Sequence, residues 1–192
     1  MAVIGEDFSA VLSAAQRGDE VAYSRLWRDA NPPLLRYLRV VTSGDPDDIA
    51  AETWASIVRG LRRFRGDESG WRAWLFATAR RRAIDDGRRR SRERDIPVDD
   101  ISDLVPLEAL VQPSGDPADL VLAQLALDEA LQAIRGLPPL QAEVLVLRIV
   151  AGLSTETVAA LTGSTPGAVR VAAHRGLKRL AGQFTPAGAV RV

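Results

Sequence analysis

Apolar residues recur along almost the whole chain at intervals of three and four, the spacing of helices that bury one face. Phe8, Val11, Leu12 and Ala15 form the first stripe, which ends at Gly18-Asp19. A second segment starts near Glu20, with Ala22, Tyr23, Leu26 and Trp27 apolar. Pro32-Pro33 then predicts the opening of a separate helix carrying Leu34, Leu35, Leu38 and Val41, since proline suits a first helical turn. Ser43-Gly44-Asp45-Pro46 is a turn and the start of the next helix, whose expected buried row is Trp54, Ile57, Val58 and Leu61. Asp48 and Glu52 lie one turn apart on another face of it. Arg65 to Gly70 breaks the period as a loop. From Trp71 a long helix is predicted to about Arg92, with Trp71, Trp74, Leu75, Thr78 and Ala79 in one stripe.

Residues 95–117 behave differently. Pro97, Pro106, Pro113, Ser114-Gly115 and Pro117 interrupt any period, which predicts a flexible linker. Helical pattern resumes at Asp116-Pro117 and continues to Arg135. A further helix follows Pro138-Pro139 to about Ala151, closed by Gly152. Ser154 caps a short third helix and Thr165-Pro166 starts the fourth. The expected fold is all-α: two small helical domains, 1–94 and 118–182, joined by an acidic linker at 95–117 and followed by a tail at 183–192.

Charge changes this picture more than composition does. The chain carries 25 basic and 25 acidic side chains, yet they are segregated. Residues 59–94 hold 13 arginines against 5 acids, whereas 95–134 hold 9 acids and no Lys or Arg. Residues 135–192 are again basic, with 7 cations against 2 acids. Two basic blocks flanking an acidic one suggest two separate polyanion contacts. The absence of cysteine excludes a disulfide framework and a thiolate metal site. One histidine, His174, has no nearby partner for a metal or for acid–base work. No catalytic constellation, metal or cofactor is expected. With no apolar run near the length of a membrane span, the expectation is a soluble cytoplasmic protein without membrane contact of its own.

The segment 154–180 carries the sharpest chemistry. Val169, Ala172, Ala173, Gly176, Leu177 and Leu180 make one apolar stripe, while Arg170, His174, Arg175, Lys178 and Arg179 cover much of the rest. A helix buried on one side and cationic on the other, following a short helix and a turn, suits the major groove of DNA.

Four stretches in order resemble the extracytoplasmic-function sigma factors of bacterial RNA polymerase. They are Arg17 to Tyr23, Asp45 to Trp54, Trp71 to Arg90, and Leu137-Pro138 to Leu180. The resemblance implies sigma region 2 in the first domain and sigma region 4, with its helix-turn-helix, in the second. It implies core-polymerase binding by Asp47, Asp48 and Glu52, contacts with the polymerase clamp and flap, and control by an anti-sigma factor. Phe64, Arg65, Arg80, Arg81, Arg88 and Arg89 would meet the −10 element, with the loop from Phe64 to Gly70 receiving a flipped base. Trp71 and Trp74, by their place in the stripe, are expected in the core instead. Pro166, Gly167, Arg170, Val171 and His174 would approach −35 base edges, and Arg175, Lys178 and Arg179 the phosphates. The acidic linker would thread toward the polymerase active-site channel.

The chain departs from the family pattern at four places, one of them Thr157, which stands where a glutamate commonly completes the capping box opened by Ser154. Arg81 stands where asparagine is usual and Ala51 where glutamine is usual. The recognition helix has Ala168, Val171 and Ala172 where threonine, serine and arginine are common, and Ala173 where leucine is, so its −35 preference is its own. A free-standing helix-turn-helix regulator would account for 137–180 but leaves the acidic helix and the arginine block unexplained. A sigma mimic that sequesters an anti-sigma factor is the other alternative.

Overall fold

Side-chain caps start most of the helices, and buried stripes hold them together. The computed structural model describes residues 4–93 and 127–184; the predicted linker, the start of the second domain and most of the tail lie outside them. A short 3-10 turn at Gly5–Asp7 leads into α1 (Phe8–Gln16). Asp19 caps α2 (Glu20–Val41) by accepting from the Ala22 amide at 2.9 Å, and Asp45 caps α3 (Pro46–Leu61) through the Asp47 amide at 2.8 Å. The long α4 spans Glu68–Glu93. In the second half, α5 covers 127–135 and α6 covers Pro139–Leu145, followed by a π-helical turn at Val146–Val150. Ser154 caps α7 (Thr155–Thr162), Gly163 ends it in the left-handed conformation at φ 65°, and Thr165 Oγ1 accepts from Ala168 N at the start of α8 (Pro166–Phe184). The reciprocal half of the α7 capping box is missing, as Thr157 predicts. In its place the Ser154 and Thr157 hydroxyls lie 2.9 Å apart in a hydrogen bond.

Several boundaries differ from the sequence expectation. Pro32 and Pro33 do not open a new helix; both lie inside α2. Each removes an i→i−4 bond, and a proline in a helix interior costs about 3 kcal/mol. The buried stripe explains why the helix continues: Ala22, Leu26, Ala30, Leu34, Tyr37 and Leu38 follow one another without a phase break across the prolines. Asn31 also accepts the Trp54 indole N–H at 2.8 Å, fixing the turn from outside. Tertiary packing has overridden local preference. Helix α4 begins at Glu68, inside the expected loop, because Asp67 Oδ1 accepts from Gly70 N at 2.8 Å and so supplies an N-terminal cap. Val58 is 52% exposed and not in the buried row of α3, and Leu177 is 50% exposed at the edge of the α8 stripe. Phe76, which the stripe of α4 omitted, is fully buried.

The N-terminal core packs α1, α3 and α4 around α2, with Leu26, Leu34, Ile57, Trp71 and Leu75 almost wholly out of water. Inside it Arg72 bridges Asp29 (3.1 Å) and Glu68 (3.0 Å), and all three side chains are at most 16% exposed. Burial pushes the Asp29 carboxyl above its ordinary value, with Arg72 opposing the shift. The C-terminal core is built on four consecutive buried residues, Val144, Leu145, Val146 and Leu147. A helix apolar on all sides must be covered on all sides. Here α8 covers one side of α6, and α2 of the N-terminal domain contacts α6 and the π turn on another. The π turn, closed by Ala151 N donating to Val146 O at 3.0 Å, widens the helix where it meets α2. Among the described residues no helix is long and apolar enough to cross a membrane.

Gly44, between α2 and α3, sits tight against α4. A Cβ there would overlap Asp86 Oδ2 and come within 2.9 Å of Arg90 Nε. Asp86 is 8% exposed and accepts from Arg89 (2.8 Å) and Arg90 (2.9 Å), so it has little room to retreat. Gly44→Ala is expected to cost about 1–3 kcal/mol, the usual price of overpacking. Urea unfolding should show a lower midpoint at unchanged slope.

Candidate nucleic-acid and polymerase interface

Helix α8 presents its two faces cleanly. Val169 and Ala172 are buried, and Gly176 packs so closely that a Cβ would lie 2.7 Å from Leu145 Cδ1. On the other side Pro166, Gly167, Arg170, Val171, His174, Arg175 and Lys178 are all exposed. Positions 167, 170, 171, 174 and 178 share one face by helical spacing, so five of the seven predicted −35 contacts lie together, with Pro166 and Arg175 to either side of them. Arg179 is the exception among the cations, since its Nη1 donates to Gln141 Oε1 at 2.7 Å and ties α8 to α6.

Helix α3 places the acidic set on its solvent side. Asp47 and Asp48 occupy the first turn, where the helix dipole favours anions, and both are exposed. Glu52 is exposed one turn on, 3.8 Å from Arg82 of α4, whose Nη2 also donates to Ser56 Oγ at 2.8 Å. The carboxylates are thus available to a basic partner while Arg82 clasps α3 to α4.

The predicted −10 residues divide. Arg81 and Arg88 are exposed with no ion-pair partner among the described residues. Arg88 and Arg92 border an open depression with Ser43, Ile84, Gly87 and Ser91. Arg89 is exposed beside Asp86. Arg65 is turned back, its Nη1 donating to the carbonyls of Arg62 (2.9 Å) and Phe64 (2.7 Å) at the end of α3. Phe64 stacks on Trp74 with ring centroids 5.1 Å apart and meets Trp71 edge-on at 5.9 Å. Trp71 is 1% exposed, as the stripe predicts, and Trp74 is half-buried over Gly60. Arg80 reaches away from solvent to Glu143 of α6, with Nε–Oε1 at 2.8 Å. Tyr37 and Glu143, which no local pattern singles out, complete that contact.

Among the described residues no group of three or more His, Cys, Asp and Glu side chains is placed to hold a metal.

Comparison with known proteins gives this geometry its class. Residues 26–93 match the model of Sigma-70 region 2, and residues 127–180 that of Sigma-70, region 4. The chain is similar to the ECF RNA polymerase sigma factor SigD of Mycobacterium tuberculosis, at 34% identity over 98% of this chain and 89% of that one. It is also 30% identical to the ECF RNA polymerase sigma factor ShbA of Streptomyces griseus, over 89% of this chain and 92% of that one. Two solved structures share the fold at 19% identity. One is CnrH in complex with the cytosolic domain of CnrY (TM-score 0.59, covering 95% of this chain and 100% of that one). The other is the sigma factor RpoE in complex with the anti-sigma factor NepR from Bartonella quintana (TM-score 0.61, 86% and 98%). The protein is a sigma factor, a transcription initiation factor and not an enzyme. It belongs to the extracytoplasmic-function group of RNA polymerase sigma factors.

Because Phe64 is held by two tryptophans, its loss should register in stability. Phe64→Ala is expected to lower unfolding free energy by about 3 kcal/mol, read by urea denaturation; a freely exposed stacking residue would leave it unchanged.

Proposed function

We propose that this sigma factor grips core polymerase through the carboxylates of α3 and reads a two-part promoter with α4 and α8. The observation that carries it is the placement of Asp47, Asp48 and Glu52 on one exposed face of the N-terminal domain, with a cationic groove-sized helix exposed on the other domain. The proposed division is 1–94 for core binding and −10 recognition, 95–117 as linker, 118–182 for −35 recognition, and 183–192 as tail. Arg81, Arg88 and Arg89 are suited to phosphates of a strand being opened, and Arg80 joins them once freed from Glu143. Phe64 supports the loop as a wall more than as a free stacking plate. On α8, Pro166, Gly167, Arg170, Val171 and His174 approach base edges, and Arg175 and Lys178 the backbone.

Regulation by an anti-sigma factor follows by analogy with the fold relative RpoE, which is in complex with the anti-sigma factor NepR. A cytoplasmic location accords with work on chromosomal promoters. The acidic linker is proposed to enter the polymerase channel toward the active site.

Pull-down with core polymerase and run-off transcription test the reading; binding to duplex DNA without binding to core would overturn it in favour of a free-standing regulator. Asp48→Lys with Glu52→Lys should weaken core binding at least tenfold, about 1.4 kcal/mol, in a titration of labelled chain with core. Arg170→Ala should relax −35 preference by about 1–3 kcal/mol if its guanidinium makes a bidentate base contact. Selection from a randomised −35 library checks this, and an unchanged base preference would remove Arg170 from the reading surface.

A further inference from the structure

The loop between α3 and α4, residues 62–67, leaves Arg62, Arg63, Arg65, Gly66 and Asp67 exposed. It follows the C-terminus of a helix, whose last carbonyls have no intrahelical partner. Two carbonyls there, that of the last residue of α3 and that of Phe64, are taken by one side chain from elsewhere in the chain. Gln16, the last residue of α1, donates from Nε2 to Leu61 O and to Phe64 O, each at 2.9 Å. The residues so joined stand 45 and 48 positions apart. An amide NH2 has two hydrogens to give, and here both meet carbonyl acceptors, which fixes the way the amide points.

The far end of the loop is held from the same N-terminal stretch. Glu68, the first residue of α4, accepts the Gly5 amide on Oε2 at 3.0 Å and Arg72 Nη2 on Oε1 at 3.0 Å. Arg72 is held in turn by Asp29 of α2 at 3.1 Å. Phe8, buried to 3% exposure, seats the turn that carries Gly5, and Leu12 and Ala15 bury α1 against the core. The stretch 5–16 therefore bonds the loop at its entry and at its exit. Arg65 also donates to Phe64 O, at 2.7 Å, but as a loop residue it moves with the loop. Gln16 is the bond to the fixed frame. Because it grips backbone, it sets the course of the loop and with it the place of the Phe64 ring stacked on Trp74.

We propose that Gln16 is a positioning residue for −10 reading. It acts through the loop and not on the base: by holding the backbone from Leu61 to Phe64 in one course, it lets the loop meet an unstacked base already shaped, with little ordering left to be done on binding. The proposal rests on the reading that this loop receives a base of the −10 element.

Gln16→Met keeps the length of the side chain and removes both donors, and Gln16→Glu sets a carboxylate against the two carbonyls. The Arg63 and Phe64 amides close on Gly60 O and Leu61 O at 2.9 and 3.1 Å. Their hydrogen exchange in the free full-length chain should quicken about tenfold in Gln16→Met, and further in Gln16→Glu. Holoenzyme assembled with core polymerase is then used to select from a promoter pool randomised across the −10 element. Either variant should reduce preference about tenfold at one base position, the one the loop receives, with the other −10 positions and the −35 preference unchanged. Ser13→Gly, at an exposed position of the same helix, loosens α1 without touching the loop and should leave every preference as it was. Circular dichroism of each variant establishes that its helices are intact. Unchanged exchange in both Gln16 variants overturns the clamp. Faster exchange with the −10 preference intact, or an equal loss of preference in Ser13→Gly, overturns the positioning role. If the unmodified holoenzyme shows no base preference anywhere in the −10 element, the reading of the loop fails and the positioning role with it, while exchange still decides whether Gln16 holds the loop.

Discussion

Tyr37 belongs to two domains at once. Its ring is wholly buried in the N-terminal core, edge-on to Phe76 at 5.4 Å, while its hydroxyl donates to a carboxylate of the C-terminal domain. Burial, with the Glu143 charge beside it, raises the phenol well above its ordinary value and keeps it a donor. The residue can do this only because α2 continues past Pro32 and Pro33. Had the chain turned at the prolines, the stripe from Leu26 to Leu38 would have lost phase, and Tyr37 would not face both cores. The proline cost is therefore coupled to the domain arrangement as well as to the N-terminal bundle.

The same helix explains why the C-terminal domain has an irregular α6. Four successive apolar residues cannot all lie on one side of an α-helix. Val144 to Leu147 are accommodated because α8 takes one side and α2 another, and the π turn adjusts the helix at the junction. Separating the domains would therefore expose apolar surface as well as break Arg80–Glu143 and Arg39–Asp128.

The helical class and the exposed face of α8 were legible from spacing, since each depends on residues three or four apart, whereas the division into two domains was read from the prolines that interrupt that spacing. Val58 and Leu177 were misplaced for a related reason: periodicity assigns a face, whereas the neighbour that covers its edge comes from elsewhere in the chain. Trp71 was legible as core because it continues a stripe; the involvement of Phe64 was not, because its partners Trp71 and Trp74 lie across a loop. Nothing local marks Glu143 or Tyr37. Their roles arise only when segments distant in sequence meet, and a single glutamate in a basic segment looks like ordinary surface until its partner is known.

The departures from the family pattern in α8 also separate on structural grounds. Ala172 is buried and Ala173 half-buried, so these two small side chains belong to the packing that brings α8 against α6 beside Gly176. Larger or polar residues at 172 would press on that contact. Val171 alone of the three is well exposed, at 50%, on the face shared with Gly167, Arg170 and His174. Under the proposed reading, the altered series therefore leaves Ala168 and Val171 exposed, and Val171 is the larger apolar side chain among the polar ones at the groove. Thymine methyl groups are the base feature that an apolar contact of this kind distinguishes. Selectivity in the −35 element would then come from Val171 acting beside Arg170, with the two alanines setting how deeply the helix can be presented.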